Sequence, residues 1–137
     1  MNQDLICARQ LLESGGYTCV FCHGDTLITD TRRGIRPLLD LCCSGQNLRA
    51  FSAADKVVGK AAAFLYRLMG IQALYAGVIS TPALAVLEGT PVEYAAEVPA
   101  IKNHAQTGLC PMETAVWDID DPKEALQAIE RTLAQLK

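Results

Sequence analysis

The chain has 137 residues, half of them apolar, which is enough to bury a real core within a single domain spanning residues 1–137. Fifteen acidic and 12 basic residues, mixed along the chain to a formal net charge of -3, exclude a broad attraction to nucleic acid or anionic lipid, so non-specific nucleic-acid binding is not expected and any anion site has to be local. No apolar run approaches the roughly 18 residues of a membrane span and Met1-Asn2-Gln3-Asp4 has no basic leader region, so the expectation is a cytoplasmic protein without a membrane partner.

Asn2 to Ser14 sets Leu5, Ile6, Ala8, Leu11 and Leu12 at helical spacing, and Gly15-Gly16 supplies a stop. Tyr17 to Cys22 and Thr26 to Thr29 are β-prone, and Gly24-Asp25 between them predicts a hairpin. Pro37 suits the first turn of a short helix through Leu38 to Cys43, ended by Ser44-Gly45. Ala54 to Met69 carries Val57, Val58, Ala61, Ala62, Leu65, Leu68 and Met69 on one wide apolar face, which predicts the central helix. Gln72 to Ile79 is a strand covered on both faces, and a helix follows at Thr81-Pro82. Glu93 to Val98 is a further strand, giving four strands or five, with parallel pairing around the central helix. Asp121-Pro122-Lys123-Glu124 combines an N-cap carboxylate, proline at the first helical position and a capping-box glutamate, so a C-terminal helix starts there.

Six cysteines could suggest a disulfide framework, but most lie in apolar periodic segments where a reduced cysteine behaves as a small hydrophobe. Cys19 and Cys22 have the spacing of a redox or zinc motif. In a strand, residues three apart point to opposite faces, so the two sulfurs are expected to diverge. Cys42 and Cys43 diverge by about 100° as helix neighbours.

Asp55-Lys56-Val57-Val58-Gly59-Lys60 opens the predicted central helix, with Asp55 as its N-cap. Lys56 and Lys60 then share one face near the positive end of the helix dipole, an arrangement that something has to offset. An anion held by free backbone N–H groups and both ammonium groups would do so; a solvated face is the plain alternative. Gly59 inside a helix costs about 1 kcal/mol, which suits close approach by a ligand or another backbone. In Cys110-Pro111-Met112-Glu113, proline makes Cys110 an N-cap, where a thiol is activated, and Glu113 can reach back as a cap. The irregular stretch from Pro99 to Leu109 carries Lys102, Asn103 and His104; the imidazole of His104 is a candidate base for Cys110.

The order of helix, hairpin, Asp55-Lys56-Val57-Val58-Gly59-Lys60-Ala61, a strand ending in Ser80-Thr81-Pro82, and Gly108-Leu109-Cys110-Pro111-Met112-Glu113 resembles the family called domain of unknown function 1893, over nearly the whole chain. That family is grouped by fold with the cytidine deaminase-like superfamily. The resemblance implies a three-layer α/β/α sandwich with a mixed sheet of four or five strands, its hairpin followed by parallel strands. Catalytic deaminases place a His or Cys ligand and a proton-shuttling Glu where the central helix begins, and two cysteine ligands where the next helix begins. This sequence reads Asp55-Lys56-Val57 and Pro82-Ala83-Leu84-Ala85-Val86 there, so neither a zinc ion nor any other cofactor is expected.

Two functions follow. The first is a zinc-independent module binding a small anionic or nucleotide-like ligand in the remnant pocket, through Lys56, Gly59, Lys60, Asn103 and Glu113. The second is an enzyme with Cys110 as nucleophile or redox thiol and His104 or Asp55 as proton acceptor. A structural subunit without a ligand is the third alternative, and self-association is left open.

Overall fold

The structure, a computed structural model, describes residues 2–102, 108 and 110–135. Helix α1, Gln3–Gly15, starts where the Asn2 side chain accepts the Leu5 N–H at 3.0 Å and ends at Gly16, whose left-handed φ of 72° suits glycine. Strands β1, Cys19–His23, and β2, Thr26–Asp30, form the hairpin, with Gly24 at φ 57° in its turn. Helix α2, Arg36–Cys43, begins with proline in its first turn. Then come β3, Ser52–Val58; α3, Lys60–Met69; β4, Ala73–Ser80; α4, Thr81–Val86; and β5, Val92–Val98. Helices α5, Pro111–Val116, and α6, Pro122–Gln135, complete the chain; the Asp121 carboxylate caps α6 by accepting the Glu124 N–H at 3.0 Å.

The five strands form one mixed sheet in the order β2-β1-β3-β4-β5. β1 is antiparallel to both β2 and β3, whereas β3–β4 and β4–β5 are parallel. Each parallel pair is joined through a helix, α3 and α4 respectively, because parallel neighbours need a crossover rather than a tight turn. Leu5, Ala8 and Leu12 of α1 pack on Val20, Cys22, Ala54, Ala73 and Tyr75, which covers one face of the sheet. The opposite face carries the main core, where Phe21, Leu74 and Ile79 meet Phe64, Leu65 and Tyr66 of α3, with Val116 of α5 and Ile129 of α6 behind them. The result is a mixed α/β sandwich. No helix among the described residues is long and apolar enough to cross a membrane.

One predicted element is corrected. The helix expected over Ala54 to Met69 is a strand followed by a shorter helix, because residues 52–58 are hydrogen-bonded between β1 on one side and β4 on the other. Val57 and Val58 fit a helical stripe and a strand equally well, so pairing with neighbours distant in sequence decides their state. Gly59, in extended conformation, is the N-cap, and α3 starts at Lys60. Asp55 is therefore not an N-cap, and Lys56 and Lys60 do not share a helix face.

Side-chain alternation breaks within β3 and β4. Asp55 and Val58 both belong to the α3 side, as do Ala76 and Ile79, although residues three apart in a regular strand face opposite ways. The break centres on Lys56 and Gly77, which the ladder between β3 and β4 skips. A Cβ at Gly77 would lie 2.8 Å from the Lys56 carbonyl oxygen, so the close approach there requires glycine.

Candidate functional site

The carboxyl ends of β3 and β4 feed directly into α3 and α4, the place where open α/β sheets hold their ligands. At the start of α3 the free backbone donors are already occupied. Glu113, buried on α5, accepts the Lys60 N–H at 2.9 Å through Oε1 and the Ala61 N–H at 3.1 Å through Oε2. The predicted reach of Glu113 back to its own helix is thus corrected: its carboxylate caps α3, where the positive end of a ten-residue helix holds an anion better than the start of six-residue α5. Gly59 makes room for it, since a Cβ there would sit 2.7 Å from the Glu113 carboxyl carbon.

Lys60 is buried, and its ammonium donates to the Trp117 carbonyl oxygen at 2.7 Å while lying 5.7 Å from the Phe64 ring centre. The cation is therefore tied to the C-terminal end of α5, which favours positive charge. Gly59, Lys60 and Glu113 do come together, as a closed unit that binds α5 to α3.

Lys56 lies elsewhere. Its side chain is exposed on the α1 side of the sheet, bordering a cleft of about 290 Å³ lined by Leu12, Glu13 and Gly16 of the α1 end and by Tyr75 and Gly77 of β4. The Arg9 guanidinium lies 4.5 Å over the Tyr75 ring and forms a 3.5 Å ion pair with Glu13. Lys56 has no ion pair among the described residues. The alternation break at Lys56 and Gly77 lies in the floor of this cleft.

Asp55 turns to the other face and is buried under α3. Its Oδ2 accepts the Tyr66 hydroxyl at 2.7 Å, and its Oδ1 faces the Val57 N–H at 3.4 Å. Burial pushes its carboxyl up to about 6, against the opposing pull of the Tyr66 hydrogen bond and the Val57 and Lys56 N–H groups. Burial, followed by the neighbouring Asp55 charge, raises the Tyr66 hydroxyl well above its ordinary value. Cys19, opposite Asp55 across β1 and β3, is raised to about 12 by burial and then by Asp55. Sequence reasoning missed Tyr66, 11 residues along the chain from its partner, because nothing local marks the pair.

Cys110 is the N-cap of α5 as expected, half-buried, with no hydrogen bond from its side chain to the helix start. Asn103 and His104 lie outside the described residues. Cys19 and Cys22 diverge as predicted: Cys19 belongs to the α3-side core and Cys22 to the α1-side core. Among the described residues no three His, Cys, Asp or Glu side chains converge as metal ligands. With the helix boundary corrected, the starts of α3 and α4 read Gly59-Lys60-Ala61 and Thr81-Pro82-Ala83, which offer no ligands to a zinc ion of the deaminase kind.

None of the curated proteins matches this sequence. A similar solved structure is the crystal structure of a DUF1893 family protein, TM1506, from Thermotoga maritima, at 27% sequence identity and a TM-score of 0.86, over 98% of this chain and 92% of that one. Residues 7–133 match the family described as TM1506: Domain of unknown function (DUF1893), and the chain belongs to that family.

Proposed function

We propose that the chain is a metal-independent binding module for a small anionic ligand, phosphate-like or nucleotide-like, held in the cleft that Lys56 borders. The observation that carries this reading is the contrast between the two lysines. The Lys60 ammonium and the α3 donors are engaged by Trp117 and Glu113, whereas the Lys56 ammonium is exposed beside a cleft of ligand size. Arg9 and Glu13 pair with each other along α1, and of the residues lining the cleft Lys56 carries the positive charge left for an anion. Membership of the cytidine deaminase-like superfamily is part of the proposal, supported by the antiparallel hairpin followed by parallel strands. A cytoplasmic setting is supported by six free cysteines.

A second reading, a cysteine-dependent enzyme using Cys110, is favoured by one observation: its thiol makes no capping hydrogen bond and is partly exposed, so it is available to react.

Titration of inorganic phosphate, followed by backbone amide shifts, tests the first reading. Shifts at Gly16, Lys56 and Gly77 that disappear in Lys56→Met are expected. Saturable shifts confined to the α5 start would favour the Cys110 reading, and no saturable shift at all would leave a structural subunit without a ligand.

A further inference from the structure

The Lys56 cleft has a larger neighbour on the same face of the sheet. A cleft of about 480 Å³ lies where β4 and β5 begin, walled by Asn2 and Leu5 at the start of α1 and bordered by Gln72, Thr90, Pro91 and Glu93. Its floor on β4 is Ala73, and the Lys56 cleft takes Tyr75 and Gly77 of the same strand, so alternate residues along one strand face floor both clefts. Helix α1 runs in the direction of β4 and flanks both, with Leu5 at one and Leu12 at the other. It packs on β1, β3 and β4, whereas β5 is exposed along most of its length, which leaves the strip beside α1 open. Between the two clefts stands the Arg9–Tyr75 stack, its guanidinium charge already met by Glu13.

The two clefts carry opposite charges. Lys56 is the cation of one, and Glu93, exposed and without an ion pair among the described residues, is the ionisable side chain of the other. The sheet register fixes their separation. Glu93 pairs with Tyr75 in the ladder between β4 and β5, and Lys56 lies against Gly77, so the two positions are two strands and two residues apart, about 12 Å between Cα atoms. We infer, on the reading that Lys56 binds an anion, that the occupant of the whole groove is an elongated zwitterion, with an acid group against Lys56, a primary ammonium against Glu93 and an aliphatic stem lying over the Arg9–Tyr75 stack. A free phosphate fills only one end. An ammonium brings three N–H donors, and the Glu93 carboxylate, the Gln72 amide oxygen and the Thr90 hydroxyl border the cleft that receives it.

The test follows backbone amide shifts of the full chain with two phosphate monoesters that differ only in a terminal amine, aminohexyl phosphate and hexyl phosphate. Aminohexyl phosphate is expected to bind the wild type about two- to fivefold tighter, the range of an exposed ion pair, and to shift the Ala73 and Glu93 amides besides those of Gly16, Lys56 and Gly77. In Glu93→Gln the two esters should bind alike, and denaturation midpoints establish that the variant is folded. Aminoethyl phosphate, too short to reach Glu93 from Lys56, should gain nothing over ethyl phosphate. Equal affinity of the two hexyl esters for the wild type, a preference that survives in Glu93→Gln, or the same gain in the short pair overturns the zwitterion while leaving phosphate binding at Lys56 in place. Absence of shifts at Lys56 with every phosphate overturns the anion site itself, and the zwitterion with it.

Discussion

Glu113 and Gly59 are fitted to each other: a Cβ on Gly59 would lie 2.7 Å from both the carboxyl carbon and Oε1 of Glu113. The φ of Gly59 is -93°, so the requirement is for space rather than for a left-handed backbone. Gly59→Ala is expected to destabilise the protein by about 1–3 kcal/mol through overpacking. Glu113→Ala is expected to cost about 1.5–3 kcal/mol, because two buried N–H groups lose a charged acceptor. Urea denaturation of both single variants and the double variant checks the fit itself. With Glu113 removed, Gly59→Ala should cost much less, and strictly additive losses would show that the two positions do not interact.

Asp55 links stability to pH. Its folded value of about 6 lies above its ordinary 3.8, so between those values the folded state binds more protons than the unfolded one. The cost of the buried charge is absent below about pH 4 and complete above about pH 6. Relative to the wild type, Asp55→Asn is therefore expected to gain stability as pH rises from 4 to 7, by up to about 3 kcal/mol. Denaturation midpoints of both proteins at four pH values give this difference. A difference that stays constant with pH would mean that Asp55 titrates normally in the fold.

Cysteine labelling separates the two functional readings. Cys19 is 3% exposed and raised to about 12, so iodoacetamide should modify it far more slowly than half-buried Cys110 in the native protein. Phosphate at saturating concentration should leave the Cys110 rate unchanged, since the Lys56 cleft takes no residue from α5. Protection of Cys110 by phosphate would move the ligand to the start of α5 and favour a thiol-centred site.

Much of the fold was legible where its determinants are local. Asn2 and Gly16 bound α1, Gly24-Asp25 turns the hairpin, and Asp121 caps α6, each through a contact within a few residues. The strand β3 was not legible, because Val57, Val58, Ala61 and Ala62 continue one apolar period straight through Gly59, while the pairing that makes 52–58 a strand comes from β1 and β4. The site suffered more from the same cause. The Lys60 ammonium meets the Trp117 carbonyl and the backbone donors at the start of α3 meet Glu113, 57 and 53 residues from Lys60, so neither partner is marked locally in the sequence. The Cys19-Val20-Phe21-Cys22 spacing drew attention to a pair that the strand separates, one sulfur going to each face of the sheet.

The most direct test of the central claim is to measure phosphate affinity in Lys56→Met and Lys60→Met side by side, with the stability of each variant recorded. The Lys56 variant should lose most of the binding and the residual affinity should vary little with salt, because the screened charge is gone, while its stability stays close to wild type. The Lys60 variant should keep wild-type affinity and lose stability, because the part-buried bond to the Trp117 carbonyl is lost. Equal loss of affinity in both variants, or loss in Lys60→Met alone, would contradict the account.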